Sequence, residues 1–152
     1  MKLAFYKDKK RFLDKLISWW TRPNIWKFWE MGPYSHVEIL FENNLCFSVS
    51  PRESRCRWKY ITDIETSGKW DLYQITDDQN TISQVKLSCS VEEGKSYDWI
   101  CIFFNFILPF DEQVRDKWIC SELAAKKVFH LRKAYKYDPN KLFFKIVKPK
   151  YK

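Results

Sequence analysis

Trp118-Ile119-Cys120-Ser121-Glu122-Leu123-Ala124-Ala125, continuing into Lys126-Lys127, joins a short apolar run to strong helix formers at a cysteine. A helix opening there sets the Cys120 sulfur at its positive end, where a thiolate is stabilised. Its first N–H groups have no partner within the helix and can donate to an oxyanion. The apolar spacing of Cys120, Leu123, Ala124, Val128 and Leu131 predicts a helix over residues 120–133. On its own this is ordinary, because a free cysteine on an apolar stripe usually acts as a small hydrophobe. A nucleophile needs a base as well.

The base lies far upstream. Ser35-His36-Val37-Glu38-Ile39-Leu40-Phe41 reads as a strand, Glu42-Asn43-Asn44 as a turn, and Leu45-Cys46-Phe47-Ser48-Val49 as the return of a hairpin. Side chains two apart share a face, so His36, Glu38 and Leu40 point one way. An antiparallel return sets Ser48 or Ser50 across from His36. A histidine near Cys120 would take the thiol proton and return it to the leaving group. A third polar side chain would fix its tautomer, and Glu38 and Ser48 are the candidates. His130, on the outer side of its helix, reads as an exposed residue.

Composition bounds the rest. The 152 residues are expected to form one domain, 1–152, with 45% hydrophobic and 18% aromatic residues arguing against disorder. Five cysteines without a C-x-x-C pair argue against a disulfide framework and fit a reducing compartment. Two histidines make a dedicated zinc site an unpromising reading, and neither a metal nor a cofactor is expected. Lys2 and the alternating charges after it are unlike a secretory signal. The longest apolar run, residues 99–110, is broken by Asn105 and Pro109 and is too short to span a bilayer. The expected location is the cytoplasm. The net charge of +8 favours anionic partners, although acids are interleaved with the bases almost everywhere except in residues 7–15 and 141–152.

Along the chain, Leu3 to Tyr6 suggest an opening strand. Residues 8–20 carry Phe12, Leu13, Leu16, Ile17 and Trp20 at helical spacing, and Trp26, Phe28, Trp29 and Met31 follow in an aromatic loop. Strands are expected over 57–61 and 70–75, and a helix over 77–93 closed by Gly94. A further helix is expected over 97–107, a break at Asp138-Pro139-Asn140, and a last strand over 142–147. The predicted class is α+β.

The histidine strand Ser35-His36-Val37-Glu38-Ile39 and the later Trp118-Ile119-Cys120-Ser121-Glu122-Leu123 together resemble the circularly permuted branch of the NlpC-type papain-like superfamily. The YiiX-like amidases and peptidases are the nearest group, and small phage proteins of this type share the pattern. Gly94 with Tyr97-Asp98-Trp99, and Pro139 with Leu142, extend the match over residues 1–148. The resemblance implies a permuted papain-like fold: an antiparallel sheet with the cysteine helix packed on it and His36 facing Cys120. It also implies cysteine-dependent hydrolysis or acyl transfer at amide or ester bonds without a metal. One departure stands out. Relatives commonly place a carboxylate or other strong polar group on the strand after the histidine, where this chain has Ser48. Glu38 stands where they often have glycine.

The leading expectation is therefore a cysteine hydrolase (a thiol peptidase or amidase) or an acyltransferase, acting on a peptide, amide or ester. If the protein is viral, its compartment is the host cytoplasm. The alternative is an inactive module of the same fold that binds a partner protein, or an anionic membrane surface through Trp19 and Trp20. A nucleic-acid binder ranks last, since no helix-turn-helix, zinc-finger or RNP signature accompanies the charge.

Overall fold

The strand Lys2–Tyr6, β1, has Leu3, Ala4 and Phe5 all fully buried, which demands cover on both faces and neighbours on both edges. The computed structural model, which describes residues 1–7, 33–99 and 117–151, supplies both. His36–Leu40 (β2) pairs antiparallel with one edge of β1, and Trp70–Gln74 (the strand labelled β5) with the other. Leu45–Val49 (β3) and Cys56–Tyr60 (β4) complete a five-stranded antiparallel sheet in the order β4-β3-β2-β1-β5. The fold is α+β.

The sheet's two faces differ. Leu3, Phe5, Val37, Ile39, Phe47 and Val49 enter the main core, which the helices cover. Ala4, Leu40 and Cys46 face the other way and meet Ile64 in a smaller cluster. Each fully buried Leu, Val or Phe contributes about 1.5–3 kcal/mol by leaving water. The 12-residue helix Gln79–Ser90, α1, brings Ile82, Val85 and Cys89 to the main core. Its start is fixed by Asp78, whose carboxylate accepts from the Thr81 N–H at 2.8 Å. Gly94 does not cap it. Gly94 adopts φ +83 in the turn beyond and donates its N–H to the Cys56 carbonyl at 2.9 Å, fastening that turn to the sheet edge.

The short strands Ser96–Tyr97 (β6) and Lys117–Trp118 (β7) pair in parallel and lead into Cys120–Phe129, α2. Tyr97 is thus a strand residue, not the start of a helix, and residues 100–107 of that expected helix lie outside the described ones. α2 begins where Ile119 is still extended (φ −107, ψ 154) and Glu122, three residues on, reaches back to the Ile119 N–H. Burial pushes the Glu122 carboxyl up to about 7 against that N–H, with the nearby charge of Asp98 adding to the push. The helix stops short of residue 133 because His130 turns left-handed at φ 55 and donates its N–H to the Lys126 carbonyl at 3.2 Å.

The chain end corrects the sequence reading. Residues 142–147 are not a strand. Asp138 accepts from the Lys141 N–H at 2.8 Å and Pro139 follows at the first helical position, so this pair starts a helix. That helix, Pro139–Leu142 (α3), passes into a π-helical turn, Phe143–Val147. Leu142, Phe143 and Val147 join the main core from it. The helix expected over 8–20, including Trp19 and Trp20, and the aromatic loop around Trp26 to Met31 lie outside the described residues. Among the described residues no helix is long and apolar enough to cross a membrane.

Candidate active site

β1–β2 and β3–β4 each pair over five residue pairs, but β2–β3 pairs only at Ile39↔Phe47 and Leu40↔Cys46. The hairpin therefore opens at its His36 end, and α2 packs on both of its strands. Ser48 closes the upper part of the seam by donating its hydroxyl to the Val37 carbonyl at 2.7 Å. At the open end, Cys120 at the start of α2 is the strongest charge acting on the His36 ring. The histidine strand and the cysteine helix do meet.

His36 Nε2 lies 2.9 Å from Glu38 Oε1, the same-face neighbour two residues along β2. With Nε2 committed to Glu38, Nδ1 is the ring nitrogen left for Cys120. Glu38 is 1% exposed, so its charge needs a partner. Arg57, from β4 two strands away, donates Nη2 to Oε1 at 2.7 Å and Nη1 to Oε2 at 2.8 Å. Arg57 is held in turn by Glu53, which also pairs with Lys59 at 2.9 Å. Charge thus alternates from His36 through Glu38, Arg57 and Glu53 to Lys59.

The electrostatics follow from these contacts. Burial alone would push the Glu38 carboxyl up, but hydrogen bonds from His36 and Arg57 outweigh it and bring it down to about 2. Burial would likewise push the His36 imidazolium down. The Cys120 sulfur, and after it the Glu38 carboxylate, reverse this and raise it to about 10. The imidazolium is the favoured form of His36 at neutral pH. Its side chain keeps 16% of its surface exposed, enough to meet a ligand. Tyr6 lies between His36 and Trp70 in the strand register, and the Trp70 ring stands edge-on to the imidazole at 6.4 Å.

Of the two residues expected to orient His36, Glu38 is hydrogen-bonded to its ring, and the Ser48 hydroxyl donates to the Val37 carbonyl. Sequence reasoning missed Arg57. The available signal was a carboxylate on a strand with a buried face, which requires a counter-charge from a neighbouring strand. It also missed Asn140, whose Oδ1 accepts from the Tyr34 N–H and whose Nδ2 donates to the Tyr34 carbonyl, both at 3.0 Å. This two-point clamp fixes the backbone just ahead of His36.

The first helical bond of α2 runs from the Leu123 N–H to the Ile119 carbonyl at 3.0 Å, so the N–H groups of Cys120 and Ser121 have no intrahelical partner. Cys120 is 7% exposed, whereas Cys46, Cys56 and Cys89 are at 0–1%. Burial pushes each of those three thiols up to about 12. Among the described residues no group of three His, Cys, Asp or Glu side chains is placed to hold a metal ion. A hollow of about 350 Å³ opens beside His36, with Ser35, Arg52, Lys59, Lys69 and Trp70 in its lining. Compared with known proteins, the chain matches no family model, no curated protein and no solved structure.

Proposed function

We propose that this protein is a cysteine-dependent hydrolase or acyltransferase acting on an amide or ester bond, built on a permuted papain-like fold. One observation carries the reading: α2 packs on β2 so that His36, hydrogen-bonded to the Glu38 carboxylate, lies within the electrostatic reach of the Cys120 sulfur. His36, as imidazolium, holds the proton given up by the thiol, and the sulfur attacks the carbonyl carbon. The N–H of Cys120 at the start of α2 donates to the oxygen that gains the charge. The His36 imidazolium then protonates the departing amine or alcohol, leaving a thioester on Cys120. Water, or an acceptor amine or alcohol, attacks the thioester with His36 again as base, and the thiol is restored. Glu38, already neutralised by Arg57, fixes the ring orientation and does not take up a proton.

The order of parts supports the permuted form: the histidine strand precedes the cysteine helix, and α2 packs on β2 and β3. The reading is tested by iodoacetamide labelling at neutral pH in a Cys101→Ser background, followed by peptide mapping. Cys120 should label first, with Cys46, Cys56 and Cys89 protected by burial. Adding His36→Ala should slow labelling about 10²-fold or more, at the scale on which a positioned base acts. Equal labelling of Cys120 and Cys46 would end the proposal.

A further inference from the structure

The hollow beside His36 carries charge that the dyad does not use. Four bases line it, Arg52, Arg57, Lys59 and Lys69, against the acids Glu38, Glu53 and Asp63. Glu38 is committed to His36 and Arg57, and Glu53 to Arg57 and Lys59. Glu38 and Glu53 are thus spent, and Asp63 forms no ion pair with Lys69, whose ammonium has no ion-pair partner among the described residues. The Lys69 backbone is nevertheless fixed. Its carbonyl accepts from the Lys7 N–H at 2.9 Å, and it directly precedes Trp70, the ring that stands against His36. Tyr6 and Trp70, their ring centroids 4.9 Å apart, form an aromatic wall of the hollow beside the imidazole. Ser35 lines the same hollow, with a buried hydroxyl that has no hydrogen-bond partner.

We infer that this hollow is a subsite for an anionic group on the acyl substrate, with Lys69 as its specificity residue and the Tyr6–Trp70 wall flanking the chain that links the anion to the scissile bond. The inference rests on Cys120 being the nucleophile and adds the class of substrate: one bearing a carboxylate or a phosphate a few atoms from the bond that breaks. An anion there would give Lys69 a counter-charge that none of the described residues supplies, and the Ser35 hydroxyl can donate to it.

The test uses the full chain with Cys101→Ser, at low salt, and two probes of equal length: maleimidohexanoic acid and its uncharged N-methyl amide. The rate of Cys120 modification is measured for each by mass spectrometry. Lys69→Gln should lower the acid-to-amide rate ratio by about threefold, the usual scale of one exposed charge pair, and leave the amide rate unchanged. Lys86→Gln, on the exposed side of α1, should leave the ratio as it was. An unchanged ratio in Lys69→Gln would overturn the subsite, as would an equal fall in both variants, which would mean only a general field. Inorganic phosphate and acetate are then tried as competitors of the acid probe. Stronger slowing by phosphate assigns a phosphate group, stronger slowing by acetate a carboxylate, and slowing by neither rejects the subsite. If the amide probe modifies Cys120 no faster than Cys46, the nucleophile reading itself fails and takes the subsite with it.

Discussion

Replacing Glu38 by Gln keeps the shape of the side chain and removes the charge on which the site is hung. The carboxylate is 1% exposed and accepts from His36 and twice from Arg57. Its value of about 2, against an ordinary 4.5, corresponds to about 3 kcal/mol of stability at neutral pH. The sign is set by the lowered value: this stability is present above pH 4.5 and is lost as the pH falls through about 2. Breaking one side of a buried pair costs about 3–5 kcal/mol, so at pH 7 Glu38→Gln should be less stable by about 3 kcal/mol, with Arg57 keeping Glu53 as its carboxylate partner. Urea unfolding followed by tryptophan fluorescence, repeated from neutral pH downward, measures both proteins. Glu53 and Glu92 are also lowered and weaken wild type and variant alike, so the difference between the two is the informative quantity. It should shrink by about 3 kcal/mol towards pH 2. Parallel curves would refute the claim that Glu38 is held ionised by His36 and Arg57.

Other outcomes follow from the same contacts. His36→Gln should flatten the alkaline side: a raised imidazolium adds stability that is present below its ordinary 6.5 and lost as the pH rises through about 10. The urea midpoint of wild type should therefore fall over that range more steeply than that of the variant. Leu123→Ala, at a fully buried position on α2, should cost about 2–5 kcal/mol in the same assay. His130→Gly, at φ 55 where α2 ends, should raise stability by about 0.5–1 kcal/mol and leave Cys120 labelling unchanged.

The sequence was most readable where a period and a turn agreed. Alternation in residues 36–49 around Glu42-Asn43-Asn44 marked the hairpin and put His36 and Glu38 on one face, as their hydrogen bond requires. Choosing between Glu38 and Ser48 needed the register, because Ser48 is near the seam but is consumed by a backbone carbonyl. Arg57 was invisible for a related reason: it reaches Glu38 across an intervening strand, and no local pattern encodes that. Leu142 to Val147, rich in β-forming residues, misled through propensity. The start signal Asp138-Pro139 and the burial of Leu142 and Val147 against the core outweighed it. The encounter of Cys120 with His36 was expected from family resemblance alone, since the two lie far apart in the chain.

The central claim is that Cys120 carries the acyl group while His36 moves the proton. Mixing the protein with p-nitrophenyl acetate and mapping the quenched sample tests this most directly. A burst of p-nitrophenol with the acetyl group found on Cys120, absent in Cys120→Ser and slowed about 10²-fold or more in His36→Ala, is the expected result. Acetylation spread over lysines, or an undiminished burst without His36, would contradict it.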